Sequence, residues 1–345
     1  MSPCPQLARP LVHLVNPLWD ATGGADWRTI ETWRVLAARA DAHVWSEYEP
    51  HDVFTSVCPV RRIRPWRLAF PRGGTIVFVG TYFRVGHWIR AARPQRTLIV
   101  YNTDQPERLE KNVRRIACAG PRPEIVYTSH ALRRLHGGTG PVLESPIDVR
   151  RFRPVTVARP RRPFTVGRLS RDIRSKHHED DPGLWRALAE AGCAVRILGG
   201  TCLAAELGNV PGIELLPAGA EDPAMFLRTL DCFVYRTSER WFEAYGRVVM
   251  EAMATGLPIV ASRRGGYADQ LRHGVDALLF DATDEAIRLV VGLREDALGA
   301  RRVGANARAA AVALNRTWLP MRTYKLLACG APSTSAVASI ARQAA

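Results

Sequence analysis

CFVYRTSERWFEAYGRVVMEAMATGLPIVASR, residues 232–263, is the stretch whose reading decides the fold. An apolar, β-prone run, CFVYRT (232–237), leads into a polar loop, SERWFEAY (238–245). Gly246 then opens a helix, RVVMEAMATG, which Gly256 and Pro258 end before a second apolar run, PIVASR (258–263). Strand, loop, helix and strand in succession make one βα unit of a parallel sheet.

The same alternation extends in both directions from this stretch. LVHLVN (11–16), AHVWSEY (42–48), TIVFVG (75–80), TLIVYN (97–102) and EIVYTS (124–129) are the strand candidates of the first half. FTVGRL (164–169), AVRILGG (194–200), GIELL (212–216) and ALLF (277–280) join the two runs above in the second. Helices are expected over 24–40, 105–118, 182–191, 222–230, 246–255 and, as two helices, 284–314. Proline and arginine in RRFRPVTVARPRRP (150–163) suit neither helix nor central strand, so a domain boundary falls there. The expectation is an α/β protein of two doubly wound, Rossmann-like domains, 1–150 and 151–316, facing each other across a cleft. Ligands of such sheets bind at the carboxyl ends of the strands. TWLPMRTYKLL (317–327), set apart from the preceding helix, is expected to form a short helix within 317–328 that packs back on the first domain; 329–345 reads as a flexible tail.

Size and composition agree with two domains. The chain has 345 residues, and single cores of roughly 150 residues are common. It has no apolar run long enough to cross a membrane, and MSPCPQLARP lacks the apolar centre of a signal peptide, so a cytoplasmic protein is expected, in contact with a membrane only at its surface. The seven cysteines form no C-x-x-C pair, which argues against a zinc ribbon or a disulfide framework. A formal charge of +15 favours anionic partners. Only Lys111, Lys176 and Lys325 are lysine among the basic residues.

Glu243 and Glu251 flank the helix start, eight residues apart, or about 12 Å if every step were helical. A ligand with hydroxyls at both ends and a charged middle suits them, its diphosphate lying near the helix N-terminus. Glu251 stands in an apolar helix, VVMEAMA, and needs donors there. Ribose hydroxyls would supply them, and so would a neighbouring arginine.

The string E-A-Y-G-R-V-V-M-E-A-M-A-T-G-L-P-I-V-A-S (243–262), followed by G-G-Y-A-D-Q-L-R-H-G-V-D-A-L-L-F (265–280), resembles the donor-site signature of retaining glycosyltransferases of family 4. That family has the GT-B fold. Carried over by position, the resemblance implies that Glu243 contacts the transferred sugar, with Ala244 and the amides of Tyr245 and Gly246 beside it, and that Glu251 binds the ribose. Tyr245 replaces the family's usual Phe, and Asp269 stands where Glu is common. VGRL resembles the family's G-R-x motif, which implies that Arg168 and Lys176 hold the diphosphate. Gly199 and Gly200 match the turn that approaches the nucleotide. Gly23 and Gly24 match the glycine-rich loop near the donor phosphates and the acceptor. After the strand TLIVYN the family has a histidine that this chain lacks, leaving Asn102 and Asp104 as the polar groups; His87 reads as a core residue.

The resemblance implies transfer of a hexose, with retention, from a UDP- or GDP-sugar to a saccharide or lipid-linked acceptor, in bacterial surface polysaccharide or glycolipid biosynthesis. No cofactor and no metal are expected. A nucleotide-sugar epimerase or a phosphorylase shares this fold, but a phosphorylase needs a lysine for pyridoxal phosphate. A basic nucleic-acid-binding protein would need an aromatic platform or a binding module, and none is evident. RRIRPWRLAF (61–70) has two readings, a surface resting on anionic lipid or a solvated loop with an edge strand.

Overall fold

The computed structural model describes residues 9–84, 86–154 and 162–330. They form two compact units. The first contains the described residues through Thr128, Arg133–Pro146 and the chain from Trp318 on; the second contains Ser129–Leu132 and Ile147–Thr317. The chain thus passes into the second unit at Ile147, ahead of the expected boundary. Residues 155–161 of that boundary, and 331–345 of the expected tail, lie outside the described residues.

The first unit is built on β1 (Leu11–Val15), β2 (Asp41–Ser46), β3 (Val60–Arg62), β4 (Thr75–Val79), β5 (Arg96–Tyr101) and β6 (Glu124–Tyr127). They form one parallel sheet in the order β3-β2-β1-β4-β5-β6. The second unit repeats the pattern with β7 (Thr165–Leu169), β8 (Ala194–Leu198), β9 (Ile213–Leu216), β10 (Cys232–Tyr235), β11 (Ile259–Ser262) and β12 (Leu278–Phe280). Its order is β12-β11-β10-β7-β8-β9, again parallel. Each sheet is therefore doubly wound, with the switch of direction beside its first strand.

The central strands are continuous apolar runs because helices cover both faces. Residues of β10 alternate between two apolar layers. Phe233 and Tyr235 pack with Val249, Met253 and Ile259, whereas Cys232 and Val234 pack with Val166, Trp185 and Val260. β3 is a three-residue edge strand that overlaps the start of RRIRPWRLAF, where a solvated loop with an edge strand was one of the two readings. The helix Ala297–Ala313 continues through a π-helical turn, Leu314–Trp318, into Leu319–Leu327, so the last helix is not set apart. Pro320 follows the π-helical turn directly, and its missing N–H favours a departure from regular helix there. Arg322 of this helix pairs with Glu144 at 2.9 Å and donates to the Val142 carbonyl within the first unit. No helix among the described residues is long and apolar enough to cross a membrane.

The loop after β1 is tightly constrained. Leu18 is enclosed with φ of 53°, a strained conformation for leucine. Asn16 Oδ1 accepts the Leu18 N–H at 2.9 Å, and the Leu18 carbonyl accepts from His51 N at 2.7 Å. Asp26, in the first turn of the helix Gly24–Ala37, lies against this loop, 5% exposed, and its Oδ1 has no partner. Burial, then the charge of Asp20, push its pKa up to about 7, against the opposing N–H groups of Trp19 and Leu18. Below the ordinary aspartate range both folded and unfolded chains carry the proton. As pH rises towards 7 only the unfolded chain has lost it, so this group costs the folded state progressively more. Asp26→Asn should therefore gain on the parent between pH 4.5 and 7.5, by on the order of 2 kcal/mol or several degrees in Tm. A Tm difference independent of pH would contradict this.

Candidate active site

In the second unit β7 and β10 are neighbours from which the sheet winds in opposite directions. The loops leaving their carboxyl ends, 170–180 and 236–246, converge on Glu243. Lys176 Nζ lies 2.6 Å from Glu243 Oε2, and the Tyr235 hydroxyl donates to the same oxygen at 3.0 Å. Burial alone would raise the Glu243 pKa, but the Lys176 charge and hydrogen bond, the Tyr235 hydroxyl and the Gly246 N–H hold the carboxyl below its ordinary value. It is an ionised, oriented carboxylate, largely enclosed by protein.

Gly246 caps the helix Arg247–Thr255 with φ of 71°, and a Cβ there would meet the Tyr267 ring at 2.7 Å. Ala244 and Tyr245 are buried beside it. Gly266 donates its N–H to the Glu243 carbonyl at 2.7 Å, and a Cβ on it would lie 2.0 Å from the Ala244 carbonyl oxygen. The Gly265-Gly266 pair thus lets two loops approach at van der Waals distance and fixes the backbone that carries Glu243.

Glu251, 7% exposed, is paired with Arg247 at 3.0 Å, one turn away on the same helix. An arginine, one of the two sources weighed above, supplies a donor to it. Asp269 accepts the Ala131 N–H at 2.6 Å. Gly199 and Gly200 follow β8, and the Gly199 carbonyl is 2.8 Å from His177 Nε2. Burial and then the Arg168 charge push His177 down to about 4, so it is neutral at physiological pH.

Arg168, expected at the diphosphate, is committed to protein partners. It is completely enclosed, with Nη1 bonded to Asp181 Oδ2 at 3.1 Å and to the Arg236 carbonyl at 2.8 Å, and Nη2 to the Lys176 carbonyl at 2.6 Å. Its guanidinium faces the Tyr235 ring at 4.8 Å. Arg236 binds the other oxygen of Asp181 at 2.7 Å, and His178 N donates to Oδ2 at 3.0 Å. Asp181 and Arg236 have no local signal in the sequence, because their partners lie 13 and 55 residues apart.

The first unit holds the remaining expected residues. Gly23 and Gly24 open the helix Gly24–Ala37 at the switch of its sheet. Asp104 follows β5 and lies 2.9 Å from His136 Nε2, which is also 3.3 Å from the Tyr101 hydroxyl. A histidine does reach this position, from the chain after β6 rather than after β5. Adjacency of β5 and β6 is the signal that would have located it. His87 is exposed at the start of a short helix and is not a core residue.

Two parallel sheets of order 3-2-1-4-5-6 with helices on their faces match the Rossmann-like domains of GT-B glycosyltransferases. The Anabaena protein HepE, solved with UDP, has a TM-score of 0.69 at 18% identity, over 93% of this chain and 99% of that one. Sucrose-phosphate synthase from Thermosynechococcus elongatus gives 0.67 at 16%, over 97% and 99%. At such identities the likeness is one of fold. Residues 198–309 match the family described as glycosyl transferases group 1. A D-inositol 3-phosphate glycosyltransferase of Salinispora arenicola is 36% identical over 115 residues, 30% of this chain and 25% of that protein. A GDP-mannose-dependent alpha-mannosyltransferase of Corynebacterium glutamicum is 36% identical over 66 residues, 19% and 15% respectively. The matched stretches span a quarter or less of these relatives' own length.

Removing the Asp181 charge leaves two enclosed guanidinium groups without their anion. Asp181→Ala should cost the second unit about 3–5 kcal/mol, and Asp181→Asn somewhat less. Thermal or urea unfolding of both variants measures this, and melting at the parent's temperature would refute it.

Proposed function

We propose that the chain is a retaining glycosyltransferase that moves a hexose from a UDP- or GDP-sugar to a saccharide or lipid-linked acceptor, in bacterial surface polysaccharide or glycolipid biosynthesis, without a metal ion. The observation that carries this reading is the ionised Glu243 at the mouth of the helix Arg247–Thr255, held by Lys176 and Tyr235 at the switch point of the second sheet. A diphosphate leaving group gains negative charge as the sugar departs. Lys176 and the positive end of the helix dipole at Arg247 supply the compensating positive charge. Glu243 orients the sugar through its hydroxyls, and Glu251, on the same helix, takes the ribose by exchanging or sharing Arg247. The names of relatives and neighbours support both bases: HepE was solved with UDP-glucose, and the mannosyltransferase is GDP-mannose-dependent.

The two glutamates should fail differently. Glu251→Ala removes hydrogen bonds to a part of the donor that does not react, so UDP or GDP should bind roughly tenfold to a hundredfold more weakly. Glu243→Ala should leave binding of the free nucleoside diphosphate nearly intact and lower turnover. Calorimetry in the presence of EDTA, with UDP and GDP, separates the two. Parent-like binding by both variants would sink the donor-site assignment, and binding that requires added magnesium or manganese would sink the metal-free one.

A lipid-linked acceptor is supported by the turn at Pro65–Arg67. It exposes Trp66 by 79% and Leu68 by 70%, and backbone bonds between Arg64 and Ala69 close it. Among the described residues Arg61, Arg64 and Arg67 have no acidic partner. Apolar tips set among unpaired guanidinium groups suit an anionic lipid surface. The parent should sediment with vesicles containing phosphatidylglycerol and not with pure phosphatidylcholine, and Trp66→Ala with Leu68→Ser should weaken that binding about tenfold. Equal, negligible sedimentation with both vesicles would remove the membrane from this proposal.

A further inference from the structure

Enclosure of Arg168 leaves the proposed donor site with one cation, Lys176, where a diphosphate calls for more. The loop after β7 offers another. Arg171 is exposed, five residues before Lys176, and its guanidinium makes no ion pair among the described residues. Both cations lie against one indole: Lys176 Nζ is 4.5 Å and the Arg171 guanidinium carbon 5.7 Å from the Trp241 ring. The indole Nε1 is buried without a hydrogen-bond partner.

The backbone of Trp241 is held firmly. Its N–H donates to the Ser238 carbonyl at 3.0 Å, and its carbonyl accepts from Thr237 Oγ1 at 3.1 Å and from Arg264 Nη1 at 3.2 Å. Arg264 also binds the carbonyls of Ser238 and Glu239, and Glu179 binds the Ser238 hydroxyl. The acids around this cluster are committed elsewhere. Glu243 takes Lys176, Asp172 takes Thr201 and the Cys202 N–H, and Glu239 takes His178 and Arg264. One guanidinium and one N–H donor remain without an anion, beside a lysine whose own charge is only partly offset.

We propose that Arg171 and Trp241 complete the diphosphate subsite, Arg171 as the second phosphate-binding cation and Trp241 as the residue that positions both cations and turns its Nε1–H to a phosphate oxygen. The indole face gathers the cations, since ring quadrupoles attract ammonium and guanidinium groups. Bringing two like charges to one ring is unfavourable until a polyanion arrives, and the diphosphate repays that repulsion. The inference rests on the donor site proposed above and names which side chains read its charge.

Isothermal titration of the full chain with UDP, GDP and the matching monophosphates tests it. Arg171→Gln should lose roughly tenfold or more in diphosphate affinity, show a shallower dependence on salt, and discriminate poorly between diphosphate and monophosphate. Arg171→Lys should recover part of the loss. Trp241→Phe keeps the ring and loses the N–H, so it should weaken diphosphate binding several-fold, and Trp241→Leu should weaken it further. Because Arg171 is exposed and unbonded, Arg171→Gln should melt with the parent, which separates a binding defect from misfolding. If the parent binds the diphosphate and Arg171→Gln binds it equally at low and high salt, this assignment is overturned and the donor-site reading stands. If the parent binds neither UDP nor GDP, the donor-site reading falls and takes this assignment with it.

Discussion

The buried carboxylate of Asp181 is the interaction on which the candidate site depends. It takes one guanidinium from the end of β7 and another from the end of β10, and it accepts the N–H of His178 from the loop between. Two strand ends and a loop are thereby tied to one point. An enclosed carboxylate facing two enclosed arginines is costly to desolvate, and its merit lies in geometry more than in net stability. Arg168 extends the tie by binding the carbonyl of Lys176. The lysine that meets Glu243 is thus held from behind by its own backbone, and its flexible side chain needs to find only the last few ångströms.

Much of the fold was legible because the central strands are buried on both faces and read as apolar runs without alternation. β3, reading Val-Arg-Arg, carries no such signal and was legible only as one of two readings of the stretch that begins at Arg61. The loop from Glu243 to Gly246 and its helix were legible for a different reason. All their parts are local: an αL glycine, a helix start and a Gly-Gly pair that must pass close by. What the sequence could not reveal was how distant charges pair. Arg168, conspicuous in its motif, is spent on Asp181, while Arg171, three residues on and without a motif, faces the site. In the first unit the histidine at Asp104 arrives by strand adjacency, which only the sheet order discloses.

Both sheets place their loops by the same rule. In a 3-2-1-4-5-6 sheet the connections after the first and fourth strands leave on opposite faces and open a crevice between them. In the second unit that crevice receives the loops after β7 and β10, hence Lys176 and Glu243. In the first unit the corresponding loops follow β1 and β4, and there the strained Leu18 and the enclosed Asp26 are found. Strain and a raised carboxyl pKa at a switch point are features a sequence need not retain for stability alone.

The Lys176–Glu243 pair bears on how the proposed reaction would begin. Two buried charges 2.6 Å apart satisfy each other, and a donor must divert Lys176 to a phosphate without setting Glu243 adrift. Tyr235 resolves this conflict. Its hydroxyl binds the same Glu243 oxygen, and its ring is fixed by T-shaped packing on Tyr267 at 5.3 Å. When the ammonium turns to the diphosphate, the carboxylate keeps the Tyr235 hydroxyl and the Gly246 N–H and with them its orientation, and the place Lys176 leaves is open to a sugar hydroxyl. Lys176 can make that turn at low cost, since its partner in the new position is also an anion and the Trp241 face stays beside it throughout. The pair is therefore a stored arrangement of charge that one incoming diphosphate can convert into two separate contacts, with little reorganisation of the backbone that Asp181 has fixed.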